Sequence, residues 1–310
     1  MFYQRYILHK YFRAIGFSEP MKTRDTYNLI DDVLEKAEHR AYITDPADED
    51  SMLTELRMDY GNGYGICAVG VFDEDNDFSG ESLFPYFISE SVSSIEQVSV
   101  EERIEGHTYA GVVDDLSVGT TLIFRLINSV EFLKYGAPEM KQIPGTSVCL
   151  SGLCLSGTVM LPILKTEDEI EDSREKEIAR RNLINLARSG DEDAMKDLTM
   201  QDMDMYAVIM DKLQEDDIYT IVDSTFMPTG VECDLYSVLG EIHRCVITEN
   251  PVTKEKVWIL TIMCGDLLFK VCINAIDLFG EPAPGRRFKG VVWMQGVINF
   301  PEENSAFDDL

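Results

Sequence analysis

YSVLGEIHRCVIT (236–248), KVWILTIM (256–263), LLFKVCI (267–273) and FKGVVWMQGVINF (288–300) decide how this chain reads. Each is an apolar run of strand length, and turn residues separate them: Asn250 to Glu255, then Gly265-Asp266. In the second run Val257, Ile259, Thr261 and Met263 alternate against Trp258, Leu260 and Ile262. Gly240 predicts a bend in the first, and Gly296 a kink in the last. Ala275 to Phe279 reads as a short helical turn. Three meandering strands, a helical connector and a return strand resemble an oligonucleotide/oligosaccharide-binding barrel. Such barrels have five strands, and the fifth is not evident. Either Tyr219–Phe226 supplies it or the barrel is open. Another small antiparallel barrel or a sandwich is the alternative.

Charge sets the same region apart. The chain carries 56 acidic and 27 basic residues, a net charge of −29. Residues 231–300 hold eight acidic and seven basic side chains, a net of −1. A surface so acidic repels polyanions at long range, which argues against nonspecific nucleic-acid binding. Its ordinary use is solubility.

Outward from the barrel the chain changes character. Residues 25–38 read as an amphipathic helix capped by Asp25. Asp45 to Asp50 reads as an acidic loop, and Ser51 to Met58 as a short helix. Gly65–Phe72 and Glu81–Ser89 form a hairpin with an acidic tip, and Pro85 points to an edge or a bulge. A strand pair is expected at Val98–Ile104 and Thr108–Asp114. Ser117–Tyr135 reads as a helix, with Leu122, Leu126, Ile127, Val130 and Leu133 at helical spacing. Thr146–Leu164 reads as a hairpin turning near Gly152 or Gly157. From Lys165 to Asp217 the chain is acidic and helical. Residues 167–188 form one helix, with Ile178, Leu183, Leu186 and Ala187 as its apolar side. Ser189-Gly190-Asp191 marks a stop and a restart. A short helix over 193–198 and a further start at Thr199 follow.

The expected fold class is therefore α+β: an N-terminal antiparallel sheet with helices (residues 1–164), an acidic helical segment (165–217), and a small antiparallel β-barrel with an acidic tail (218–310). At roughly 150 residues per domain the length fits about two domains and a connector.

No motif for catalysis, metal or cofactor emerges, so no cofactor is expected. Asp73-Glu74-Asp75-Asn76-Asp77 starts like a calcium loop but has Phe78 and Phe84 where that loop needs Gly and Glu. Gly61-Asn62-Gly63-Tyr64-Gly65 opens a strand rather than a helix, so it is a turn and not a dinucleotide loop. Ser156 lacks a nucleophile elbow around it. Four histidines, His9, His39, His107 and His243, lack metal spacing; His107 with Asp114-Asp115 is the nearest approach to an acid/base pair. Seven cysteines without a Cys-x-x-Cys pair read as buried core in a reducing cytosol. No run is long and apolar enough to span a membrane. The basic, aromatic N-terminus reads as a docked or frayed first helix, with a basic amphipathic membrane anchor as the alternative.

Arg286, Arg287 and Lys289 are the densest basic cluster of the C-terminal region, with Trp293 and Gln295 on the same strand. Alternation places Arg287, Lys289, Val291, Trp293 and Gln295 on one face. That face is the candidate ligand or partner site. It could stack and neutralise a single strand; the competing reading buries Trp293 and pairs the cations with the chain's own acids.

HKYFRAIGFS (9–18), YAGVVDD (109–115), FMPTGVECDLYSVLGEI (226–242) and GRRFKGVVWMQGVINF (285–300) together resemble an uncharacterised domain-of-unknown-function family of acidic proteins from anaerobic gut bacteria. The resemblance implies a bacterial cytoplasmic protein and brings no activity with it. Its members begin with Met directly before His-Lys, where this chain has Leu8. Residues 1–8 are therefore expected to precede the true start, and an intact mass beginning at Met1 would contradict this. The functional expectation is a non-enzymatic cytoplasmic protein that binds a ligand, a protein partner or a second copy of itself. Single-strand binding through the barrel and an enzyme of unrecognised class are the alternatives.

Overall fold

A computed structural model describes residues 9–20, 23–45, 48–103, 107–115, 120–135, 143–163, 167–212 and 222–301. Two sheets dominate. The first is a four-stranded antiparallel meander: β1 (His39–Asp45), β2 (Asp48–Asp59), β3 (Tyr64–Phe72) and β4 (Phe78–Phe87). Helix α1 (Thr23–Lys36) packs on it, burying Leu29, Ile30 and Val33. The second sheet starts with β5 (Val98–Glu102), β6 (Tyr109–Asp115) and β7 (Thr120–Leu126) and runs into a barrel.

The barrel is closed. Its strands are β8 (Ser147–Met160), β10 (Leu235–Glu249), β11 (Lys256–Cys264), β12 (Leu267–Asn274) and β14 (Arg287–Asn299). β10, β11 and β12 meander, β14 pairs with β10, and β8 closes the ring between β12 and β14. The short strand β9 (Thr225–Pro228) pairs with β10 outside the ring, and β13 (Leu278–Phe279) pairs with β8. The fifth strand is thus not Tyr219–Phe226; residues 213–221 lie outside the described part. Nor is the barrel purely antiparallel, because β8 runs parallel to β12.

β8 is one continuous strand where Gly152 and Gly157 predict a hairpin turn. Neither turns the chain. A Cβ on Gly152 would lie 2.1 Å from Val292 Cγ1, and one on Gly157 would lie 2.6 Å from the Phe288 ring. Both glycines let a neighbouring side chain lie against bare backbone. The predicted helix at Ser117–Tyr135 divides into strand β7 and a short helix, α2 (Ser129–Lys134). Leu122, Phe124 and Leu126 are buried, and this period of two carries the pairing with β6. The ring of Phe124 packs against two glycines, Gly111 and Gly296, whose Cβ atoms would fall 2.1 and 2.5 Å from it. The predicted helix at Ser51–Met58 is instead the inner strand β2, hydrogen-bonded on both sides. Short apolar runs do not distinguish the two by period alone.

Other expectations hold. The β3–β4 hairpin ends in the acidic tip, where Asp73 Oδ1 accepts from the Asp77 N–H. Helix α3 (Glu167–Arg188) stops at Gly190 (φ +90°), and Asp191 caps α4 (Glu192–Lys212) by accepting from Asp193 and Ala194 N–H groups. α4 runs on through Thr199 without the expected break. The predicted first helix is a docked 3-10 turn, Lys10–Ile15, burying Tyr11, Phe12, Ala14 and Ile15. Asn250 donates to the Ile15 carbonyl, and Arg13 makes a bidentate pair with Asp277 at 2.7 Å, so this turn is fixed to the barrel. One apolar core runs through the 3-10 turn, both sheets and α2. Cys67, Cys149, Cys154, Cys264 and Cys272 are buried, whereas Cys233 is exposed. No described helix is long and apolar enough to cross a membrane.

Candidate functional site

The five residues singled out from sequence do not share one open face. Arg286 donates to the Glu281 carbonyl at 2.5 Å, within its own loop. Arg287 is buried, donating to the Leu161 and Val222 carbonyls, each at 3.1 Å. Burial lowers its pKa, partly offset by the charge of Asp223. Lys289 is half-buried. Trp293 is 3% exposed; its indole N–H donates to Asp234 Oδ2 at 3.1 Å, and the His9 ring stacks on it at 4.2 Å. Gln295 is fully buried against β4. The positions share a strand, but three of the five are engaged inside the molecule.

Two histidines enter ionic clusters that spacing alone did not show. From β1, His39 accepts at Nε2 from Arg57 at 2.5 Å, which requires a neutral ring. Burial, then the Arg57 charge, lowers its pKa, while Glu131 opposes this. Beneath it lies Glu55, fully buried on β2. Its Oε2 accepts from the Ser129 N–H at 2.9 Å and the Ser129 hydroxyl at 2.8 Å, capping α2 from another strand. Burial raises the Glu55 pKa, against the pull of Arg57 and Ser129. Every charged group here holds sheet to helix. His107 likewise joins the two sheets, with Nδ1 2.7 Å from Glu81 and Nε2 3.3 Å from Asp45. It does not pair with Asp114 or Asp115 as the sequence suggested.

A different place combines charge, apolar surface and open space. A cavity of about 300 Å³ lies beneath α3. Four pieces of chain make its walls. The stretch Val92–Ile95 forms one, fixed to β8 because Ser93 and Ser94 N–H groups both donate to the Val148 carbonyl. Asp115 ends β6 as another. Asp266 stands in the tight β11–β12 turn, where Gly265 has φ +59°. α3 contributes Arg181, Ile184, Asn185 and Arg188, one face of a helix at i, i+3, i+4 and i+7.

Its electrostatics are balanced. Arg181 pairs with Asp266 at 2.9 Å. Arg188 places Nε 2.5 Å from Glu96 Oε1, and its Nη2 lies 4.0 Å from Asp115 Oδ1. That second separation exceeds direct hydrogen bonding. The Asp115 side chain is only 1% exposed, so its charge is sealed within the protein at the margin of the cavity. Ile184 is buried, while Val92 and Ile95 remain largely exposed, so the cavity opens to solvent past apolar side chains.

In the sequence Asp115 and the Gly265-Asp266 turn stand apart, and nothing joins them. On α3 Ala187 is buried as expected and Ile184 joins it, whereas Ile178 and Leu186 are exposed. Arg181, Asn185 and Arg188 were missed, because in a charged helix their i, i+4 and i+7 spacing looks like ordinary solvated surface.

A family described as "Domain of unknown function, E. rectale Gene description (DUF3881)" matches residues 12–296. Neither the curated proteins nor the solved structures contain a match.

Proposed function

The chain belongs to that family of unknown function, and from this premise we propose that it is a non-enzymatic binding protein of the bacterial cytoplasm, with its ligand seat in the cavity beneath α3. One observation carries the reading. Arg188 is held in place by Glu96 and points Nη2 at a nearly sealed carboxylate, Asp115, across a 4.0 Å gap, beside the apolar floor of Ile184. The lining joins three apolar side chains, Val92, Ile95 and Ile184, to a larger set of polar groups fixed by their neighbours, as a seat for a polar ligand requires. The volume lies at the small end of such sites, which run from about 300 to 1,000 Å³.

The barrel itself has the strand number of an oligonucleotide/oligosaccharide-binding fold, which keeps such a kinship as part of the proposal. The nucleic-acid reading draws no support from β14, because Arg287, Trp293 and Gln295 are occupied by internal partners.

Thermal denaturation against a panel of small polar metabolites tests the reading. A ligand of this seat raises Tm in the wild-type protein, and the rise is lost in Arg188→Gln. No shift across the panel, or equal shifts in both proteins, would count against the seat.

A further inference from the structure

We propose that the half of the four-stranded sheet's face that α1 leaves uncovered docks a basic protein segment carrying an aromatic or aliphatic anchor. This surface is separate from the cavity beneath α3 and does not depend on it. Strand register assembles it. Thr44, Met52, Phe72 and Phe78 lie directly opposite one another across β1, β2, β3 and β4. Tyr42, Thr54, Gly70 and Gly80 form the next row on the same face. The rings of Tyr42 and Phe72 are 6.5 Å apart, and those of Phe72 and Phe78 5.1 Å. Phe78 leans over Gly70, where a Cβ would lie 2.8 Å from its ring. Met52 is 43% exposed, and the three rings are half-buried.

α1 covers the other half of this face. Arg40, opposite Leu56, donates to the Leu34, Glu35 and Ala37 carbonyls at the end of that helix. Leu56, Ile66 and Ala68 are accordingly buried. The sheet's opposite face carries Glu55 and meets α2. Apolar side chains grouped in adjacent rows and left partly in water mark an interaction surface, where scattered ones would not. The meander then places two turns at this end of the sheet, β1–β2 and β3–β4. The first supplies Asp48, Glu49 and Asp50, and the second Asp73, Glu74, Asp75 and Asp77, all exposed. None of these carboxylates pairs with a described lysine, arginine or histidine. Arg40, the one described cation on the face, is engaged with α1.

Charge selects the occupant. A second copy of this chain, at net −29, is repelled, and so are nucleic acid and an anionic lipid surface. A neutral apolar partner would cover the rings but bring the rim carboxylates under its edge without a counter-charge. A segment with lysine or arginine on either side of an apolar residue meets both needs. Its anchor lies on Met52, Phe72 and Phe78, and its cations reach the two acidic turns. An apolar centre inside a polar rim is the usual anatomy of a protein interface, and rim charges govern the rate of association and its salt dependence.

Fluorescence anisotropy of labelled, end-capped peptides with the full chain, at about 50 mM salt where screening is weak, tests the surface. Lys-Arg-Trp-Leu-Arg-Lys binds. Lys-Arg-Gly-Ser-Arg-Lys, of equal charge but without the anchor, binds about tenfold or more weakly. Glu-Glu-Trp-Leu-Glu-Glu does not bind. Met52→Gln combined with Phe72→Gln brings the first peptide to the level of the second. If that variant fails to fold, by its Tm, exposed acids decide. Glu49→Gln, Glu74→Gln and Asp75→Asn together weaken the first peptide about fivefold or more. Glu171→Gln, Glu175→Gln and Asp204→Asn, an equal charge change on α3 and α4, leave it unchanged. Equal losses in the two triple variants, or equal binding of the anchored and anchorless peptides, would reduce the attraction to net charge and overturn the surface. No binding of the anchored peptide would overturn it as well.

Discussion

Gln295 and Phe87 join the two sheets: the side-chain Oε1 of Gln295 on β14 accepts the backbone N–H of Phe87 on β4 at 2.8 Å. The same amide donates to the Pro85 carbonyl at 3.0 Å. Ser151, which pairs with Gln295 across β8 and β14, donates its hydroxyl to the Phe87 carbonyl. Two cross-strand neighbours of the barrel thus satisfy the free edge of β4 as a further strand would. An edge left with unpaired groups invites other chains, and here the molecule closes it itself. Gln295→Leu keeps the volume and strands two buried backbone groups, so stability should fall by about 2 to 5 kcal/mol. Urea denaturation measures this; an unchanged midpoint would remove Gln295 from the seam.

The ring of five strands cannot form from residues 218–310 alone, because β8 comes from residues 147–160. A protein beginning at residue 218 should show no cooperative unfolding transition, and one beginning at residue 143 should regain it. Circular dichroism on heating decides between them. A cooperative transition in the shorter protein would show that β8 is dispensable.

Gly152→Val places a branched side chain where a Cβ alone would lie 2.1 Å from Val292. Overpacking of this kind costs about 1 to 3 kcal/mol, and more where backbone must move. The loss appears in the denaturation midpoint and should be larger than that of Gly190→Ala, where the strain is in φ and a Cβ meets open space.

Two histidines should shape the pH profile in opposite directions. Burial opposes charge on His107, but its hydrogen bond to Glu81 and the charges of Glu81 and Asp45 outweigh this and raise its pKa. A raised folded pKa contributes stability that is full below the unfolded value, about 6.5, and lost as pH rises through the folded value. His9 is the reverse: burial, then Arg125 and Lys10, lower it from 6.5 to about 4. Its neutral form is the folded one, so stability falls as pH drops from 6.5 towards 4. His107→Gln should flatten the alkaline side of the profile, and His9→Phe, which retains a ring against Trp293, the acid side. Chemical denaturation from pH 4 to 9 reads both. Slopes unchanged in the variants would assign the pH dependence to other groups.

The barrel meander was legible because β10, β11 and β12 follow one another with clear turns and alternating residues. β8 was not, since its partners β12 and β14 lie more than a hundred residues further on and its glycines imitate turns. β7 imitated a helix because Leu122 and Leu126 satisfy both periods, and what fixes the strand is Phe124 lying on Gly111 and Gly296. The basic and aromatic positions of β14 stand out in the sequence. Their chemistry is spent within the chain: Trp293 on Asp234 and His9, Gln295 on β4. The stretch HKYFRAIGFS, which carries part of the family resemblance, is the 3-10 turn held to the barrel by Arg13–Asp277 and Asn250. The cavity beneath α3 was illegible in principle, because four distant segments supply it and none has a motif.

Hydrogen exchange of the full chain, with and without a mixture of the small polar metabolites, tests the ligand seat most directly. Protection confined to residues 92–95, 115, 181–188 and 265–266 is the expected result. Protection at residues 286–295 instead, or none anywhere, would contradict it.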